Sequence, residues 1–344
     1  VKAVEESRLV SGVRRAVEIR QLKRESGELR VRLLSGELMD RSAFAPIITR
    51  NRKMHSIFLY IEAVAKSSEP VLITGETGVG KELIAHTIHT HSELSYGPFV
   101  AINCGALSET LLESELFGHE MGAFTGAAKA RRGRLEMANN GSLFLDEVGE
   151  ISTKMQVALL RVLEEKKFER LGGSRTLETN FRLISATHRD LPQLIKENQF
   201  REDFFYRINV ITIPVAPLRD RLEDVPPLAD HFLERYVQET GKPMEGFTQR
   251  ALGMLMSYSW PGNVRELRNV IERAVVIARG RMIGAKELTF LNTPSDVCQL
   301  GTLTLKEVEI SHVRAALETC NWNISHAAKQ LGIDRSTLNR KIKR

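Results

Sequence analysis

Cysteine and tryptophan are scarce in this chain, three and two residues in 344. The cysteines, Cys104, Cys298 and Cys320, are odd in number and unrelated in spacing. That excludes a disulfide framework and a cysteine metal cluster, and points to a reducing compartment, the cytoplasm. No apolar run approaches the roughly 20 residues that span a bilayer, so no membrane partner is expected. There is no internal repeat, no low-complexity tract, and no signal peptide or lipidation motif. The chain begins with Val1 rather than Met, so a longer or processed parent is expected. What is present, 42% hydrophobic and 27% charged residues over a length sufficient for two or three domains, excludes a disordered tail.

The net charge of +6 is concentrated at the two ends. Residues 1–55 hold 13 basic and 7 acidic side chains and residues 302–344 hold 8 and 4, which leaves the middle acidic. A basic carboxy-terminal segment suits nucleic-acid phosphates, and a solvated basic face would look the same. Residues 1–42 place Val10, Val13 and Val17, then Ile19, Leu22, Leu29 and Leu33, at three- and four-residue spacing. They read as a helical linker, either a coiled-coil dimer or a single amphipathic helix. Over residues 43–215 short β-branched runs at 71–74, 99–102, 142–145, 181–184 and 210–213 alternate with helical stretches. This is the pattern of an α/β domain with a parallel sheet covered on both faces. Pro214 and Pro217 introduce a helix-dominated region, 216–290, then a linker at 291–301 and an all-α module at 302–344.

The run Gly75-Glu76-Thr77-Gly78-Val79-Gly80-Lys81-Glu82 lies between an apolar strand and a helical stretch. In that context glycines let backbone N–H groups turn toward phosphate oxygens, the helix amino end adds its dipole, and Lys81 reaches the β and γ phosphates. Glu82 stands where the general pattern has Ser or Thr. About 65 residues on, Ser142-Leu143-Phe144-Leu145-Asp146-Glu147 is an apolar strand ending in two carboxylates. Asp146 is placed to hold a magnesium ion, through water, and Glu147 to polarise an attacking water. The pair implies ATP hydrolysis. A third string, Gly122-Ala123-Phe124-Thr125-Gly126-Ala127, sets small and turn-prone residues around one aromatic and suits an exposed loop tip that offers Phe124 and Thr125 to a partner.

These strings together resemble the AAA+ ATPases, and among them the bacterial enhancer-binding proteins that activate sigma-54 RNA polymerase. The hexapeptide Gly122–Ala127 is diagnostic of that family, whose phosphate loop characteristically ends Gly-Lys-Glu, as at Gly80-Lys81-Glu82. The resemblance implies an AAA+ parallel-sheet domain over 43–215 with a helical lid over 216–290. It implies ATP and Mg2+ as ligands, and contact with the sigma-54 holoenzyme through Gly122, Ala123, Phe124, Thr125, Gly126 and Ala127. Thr187 and His188 look like the sensor of the γ phosphate. Arg201 and Arg207 are similar to arginine fingers that act on a neighbouring subunit, and Arg265 in Trp260-Pro261-Gly262-Asn263-Val264-Arg265 to a lid arginine that reaches the phosphates. Thr49 stands where the family usually has Gly beside the adenine pocket. Fingers acting in trans imply dimers assembling into a hexameric or heptameric ring, and the amino-terminal linker resembles the one that follows a receiver domain in the family's two-component regulators.

Over residues 302–344 helices are expected at Leu305–Thr319, at Asn323–Leu331 and from Asp334 to Lys343, with a turn at Gly332-Ile333. Leu338 and Ile342 would face inward with Ala327, Ala328 and Leu331. Arg335, Ser336, Thr337, Asn339, Arg340 and Lys343 would be left for double-stranded DNA. The module resembles the Fis-type helix-turn-helix of the same family. The reading is an ATP-hydrolysing activator that binds upstream DNA and remodels the polymerase to open promoters. The alternative is a DNA-binding regulator that keeps the ATPase fold without contacting sigma-54. A helicase or proteolytic motor would need pore or protease features that the sequence lacks.

Overall fold

The computed structural model describes Leu38, residues 42–124, Ala127, residues 129–292, Leu317 and residues 322–342. Almost all of the 1–42 linker, most of the 291–301 linker, and the helix expected at 305–319 apart from Leu317 lie outside the described residues. The chain divides into two compact units, Val1–Ala285 and Lys286–Arg344.

The first unit starts with helix α1 (Arg52–Ala65), whose amino end is capped by the Asn51 side chain accepting from the N–H groups of Lys53 and Met54. There follow β1 (Val71–Thr74), α2 (Lys81–Thr90), β2 (Phe99–Asn103), α3 (Glu109–Phe117), β3 (Gly118–His119), β4 (Arg131–Arg132), α4 (Arg134–Met137) and β5 (Ser142–Asp146). Next come α5 (Thr153–Glu165), β6 (Lys167–Glu169), β7 (Thr176–Glu178), β8 (Arg182–Thr187), α6 (Leu191–Lys196), α7 (Glu202–Ile208) and β9 (Ile211–Pro214). Five of the strands form one parallel sheet in the order β2-β5-β8-β1-β9.

The near-continuous apolar strands have a simple cause, because alternate residues serve two separate cores. Leu72, Leu143, Leu145 and Leu183 pack on one face, Val71, Ile73, Phe144, Ile184 and Ile213 on the other. All six residues of β8 are buried. At roughly 25 cal/mol per Å2 of apolar surface removed from water, each such side chain contributes about 1.5–3 kcal/mol. The last expected strands begin one residue late, at Arg182 and Ile211, and Val210 is left exposed.

Arg182 opens β8. Its side chain lies inside, 2% exposed, and donates to the carbonyls of Val64 (2.9 Å), Ala65 and Glu69 (3.4 Å), capping the carboxyl end of α1. Burial pulls the guanidinium down to about 10. Two antiparallel hairpins, β3–β4 and β6–β7, were not expected from the sequence.

The helical lid comprises α8 (Val225–Thr240), β10 (Gly246–Phe247), α9 (Gln249–Ser257), α10 (Asn263–Ile277) and β11 (Met282–Ile283), with α8 and α10 packed together and a short parallel β10–β11 pair. In the second unit α11 (Ile324–Gln330) and α12 (Arg335–Ile342) are joined by a turn at Gly332, whose left-handed φ of +64° suits glycine. Leu317, Ala327, Ala328 and Leu338 form its core. Ile342 does not join them. It is 42% exposed, at the last position of the eight-residue α12.

Candidate active site

The chain passes from β1 to α2 through residues 75–80, where Gly78 (φ +82°) and Gly80 (φ +104°) hold left-handed conformations. At Gly78 a side chain would strike the Gly262 carbonyl of the lid, whereas at Gly80 it would enter open space. Lys81 opens α2. Its Nζ donates to the carbonyls of Gly75 (2.9 Å) and Glu76 (3.3 Å) and lies 3.7 Å from Glu147 Oε1. The lysine therefore closes the loop from within. Thr77, Gly80 and Glu82 border a cavity beneath the lid, while Val79 is buried in the core. The Glu76 carboxylate is turned to Arg219 (2.6 and 2.8 Å) and Asn263 (3.1 Å), which hold it well below the usual carboxylate range.

The parallel register sets Asn103 beside Asp146 at the carboxyl end of the sheet. Asp146 accepts from Asn103 Nδ2 (3.2 Å) and from the Glu147 N–H (3.0 Å). Burial, and then the neighbouring Glu147 charge, push its carboxyl above the ordinary range. Glu147 sits on a left-handed backbone (φ 55°, ψ 47°). One of its oxygens faces Lys81 and the other lies 2.5 Å from His188 Nδ1. Thr187 is fully buried, its hydroxyl accepting from the Arg189 N–H at 3.0 Å. Beneath the carboxylates the buried Cys104 thiol is pushed up to about 12 by burial and by both acids.

Of these groups Lys81, Asp146 and Glu147 face this cavity of about 260 Å3, whose lid wall supplies Arg235, Arg265 and Arg268, while Thr187 and His188 are not in its lining. The geometry pairs a lysine and three arginines with two crowded carboxylates. Such a donor set takes a polyanion together with a hard cation, since Asp146 lacks a positive partner sufficient to hold its charge. The residues present fit magnesium triphosphate.

Residues 47–214 match the sigma-54 interaction domain, residues 219–295 the AAA+ ATPase lid domain, and residues 304–344 the Fis family of bacterial regulatory proteins. The chain is 49% identical over 296 residues to the transcriptional regulatory protein ZraR of Klebsiella oxytoca, covering 85% of this chain and 67% of that protein. The chain belongs to the sigma-54-dependent transcriptional activators. It is also 43% identical over 342 residues to the regulatory protein AtoC of Escherichia coli strain K12, covering 96% of this chain and 73% of that protein. Crystal structures of NtrX from Brucella abortus, solved in complex with ADP and with ATP, are 35% and 34% identical. Both have a TM-score of 0.66 and cover 98% of this chain and 75% of theirs.

As in its family, the activator carries a parallel-sheet AAA+ domain, a helical lid and a DNA-binding helix-turn-helix. Among the described residues no helix is long and apolar enough to cross a membrane. The string Gly122–Ala127 falls between β3 and β4 in the sequence. Phe124 is 44% exposed and stands edge-on to His119 at 5.0 Å, while Gly122 turns the chain with φ +81°. The buried His119 is fixed by Ser114, 2.8 Å from its Nδ1. Ala123 packs on Gly172 in the β6–β7 hairpin, where a side chain would collide, and Ala127 is buried. Thr125 and Gly126 lie outside the described residues.

Arg201 and Arg207 are not brought to this cavity. Arg201 forms a two-pronged pair with Asp203 (2.6 and 3.0 Å) on the surface. Arg207 donates to the Leu163 carbonyl at the end of α5 and borders a second cavity with Pro70 and Arg182, at the amino ends of the strands. Thr49 is engaged as well: its hydroxyl donates to buried Asp224 at 2.7 Å. In the helix-turn-helix Arg335 and Ser336 are exposed and Thr337 half-buried, while the side chains of Asn339 and Arg340, and Lys343, lie outside the described residues. Sequence reading missed Asn103, Arg235 and Arg268. Only the register and the fold of α8 and α10 place them at the site.

Proposed function

We propose that this activator hydrolyses ATP at the cavity between loop 75–82 and the lid, and uses the released energy to remodel the sigma-54 holoenzyme through the Phe124 loop. The observation that carries the reading is the meeting of Lys81, Asp146 and Glu147 with the lid arginines around one cavity. Phosphate oxygens would take the loop N–H groups and the Lys81 ammonium, which would leave the Gly75 and Glu76 carbonyls to do so. Arg265 and Arg268 would draw the lid onto the triphosphate. Asp146 would hold Mg2+ through water, and that ion supplies charge neutralisation on the phosphates when bound. Glu147, released from Lys81 and His188, would take a proton from the attacking water. Thr187 and His188 would register the γ phosphate.

Arg201 and Arg207 sit away from their own cavity, which suits action on the nucleotide of the next subunit. With the family resemblance, this suits a ring of six or seven chains, built from dimers. DNA would be bound through Arg335, Ser336, Thr337, Asn339, Arg340 and Lys343, with the strong salt dependence of phosphate contacts. A receiver domain ahead of this segment would supply control.

The test is Glu147→Gln. It should bind a fluorescent ATP analogue like the parent while turnover falls by roughly 10²–10⁴-fold. Turnover at the parental rate would end the hydrolytic reading. Thr125→Ala should spare the ATPase and abolish promoter opening on a sigma-54 template; opening at the parental level would separate the loop from the polymerase.

A further inference from the structure

Three successive carbonyls of the phosphate loop are gripped from outside it. Thr77 O accepts from Asn263 Nδ2 at 3.1 Å, Gly78 O from the Arg265 N–H at 3.3 Å, and Val79 O from Arg221 Nη2 at 2.9 Å. Two of these donors stand at the start of lid helix α10 and the third on the connection that follows β9. A trans peptide points its C=O and the next N–H in opposite directions, and no peptide among the described residues is cis. Holding the carbonyls of residues 77, 78 and 79 therefore aims the N–H groups of Gly78, Val79 and Gly80 away from the anchors. Those N–H groups donate to nothing among the described residues.

Asn263 ties this arrangement together. It is fully buried, with a left-handed φ of 53°, and its side chain is wholly spent on bridging. Nδ2 reaches Glu76 Oε2 (3.1 Å) as well as Thr77 O, and Oδ1 accepts from the Leu218 N–H (2.8 Å). Next to Leu218, Arg219 clamps both oxygens of Glu76. A carboxylate inside a phosphate loop is costly for anion binding unless it serves another purpose.

We propose that Asn263, Glu76 and Arg219 form a clasp by which the lid sets the aim of the phosphate loop, so that Asn263 is a positioning residue for the nucleotide. The proposal rests on loop 75–82 being the ATP site. Lid and loop then behave as one unit. A displacement at the start of α10 pulls on the Thr77 and Gly78 carbonyls and turns the N–H groups that receive phosphate. Glu76 holds the loop to the lid and does not touch phosphate.

The sign of one measurement decides. Glu76→Gln removes a negative charge beside the nucleotide. If Glu76 were merely near the phosphates, binding of N-methylanthraniloyl-ADP would tighten; with the clasp it should weaken about fivefold. Asn263→Ala should weaken it about tenfold, mainly in KM, with kcat at saturating ATP within about threefold of the parent. The double variant should lose no more than the worse single one, because both act through the same loop. Binding as tight as or tighter than the parent's in Glu76→Gln, or multiplied losses in the double variant, overturns the clasp. Glu76 is half-exposed, so its variant keeps the test open should Asn263→Ala fail to fold. Lys81→Ala is the control for the underlying reading. If it binds the probe like the parent, the phosphate loop itself has been misassigned, whatever the clasp does.

Discussion

The two ends of the central sheet solve opposite problems with the same kinds of side chain. At the amino ends Arg182 is buried beside α1 and every direction of its guanidinium meets a carbonyl. At the carboxyl ends Asp146 and Glu147 crowd each other, Lys81 is only 3.7 Å from one of them, and the Asp146 carboxyl is raised above its usual range. One end has its hydrogen bonds complete without a ligand. On the proposed function, the other would be relieved by an anion and a cation arriving together. The difference teaches that residual dissatisfaction, rather than charge as such, marks the site.

Substitutions at the two ends can break or sharpen this contrast, beginning with the largest effect. Asp146→Asn should reduce ATP turnover by about 10³-fold in a steady-state phosphate-release assay; an active variant would erase the difference between the ends. Arg182→Met should lower the stability of the folded domain by about 3 kcal/mol in urea unfolding, since it orphans buried carbonyls, yet leave nucleotide affinity unchanged. The smallest effect has the opposite sign. Asp146→Asn should slightly raise the urea midpoint of the nucleotide-free protein at pH 7, because it removes a carboxylate that the fold holds at a cost. Since the folded-state pKa of Asp146 lies above its ordinary 3.8, the native carboxylate is disfavoured at neutral pH and relieved as pH falls through that raised value. The stability gained by Asp146→Asn should therefore shrink between pH 7 and pH 4, and a constant gain would remove the electrostatic cause.

Ring assembly bears on the same comparison. Arg207 lies at the complete end, spending one donor on Leu163 O while remaining exposed. If it serves the unsatisfied end of a neighbour, Arg207→Ala chains and Lys81→Ala chains, each inactive alone, should recover measurable ATPase when mixed. Failure at every mixing ratio would count against action in trans.

Much of this is legible in the sequence. The strands were visible because a sheet covered on both faces needs apolar residues at consecutive positions, as in Leu143-Phe144-Leu145. Lys81 and the Asp146-Glu147 pair were visible because their chemistry needs a fixed local order of residues. Partner choice across long separations was not. Glu76 reads as one more residue of the loop, and only folding shows that Arg219, 143 positions away, takes its carboxylate. His188 looked like a reader of phosphate, and the structure sets it against Glu147. Ile342 fits the apolar spacing of α12, but spacing cannot tell which apolar positions find a partner.

Cys104 offers a practical consequence. Its thiol lies under the two acids and is pushed up to about 12, so it is almost wholly un-ionised at neutral pH and shielded from reagents. Alkylation at that position thus waits for the packing around Cys104 to open. Timed iodoacetamide labelling, read on the peptide containing Cys104, would give the rate at which this domain breathes, with no dye or added tag.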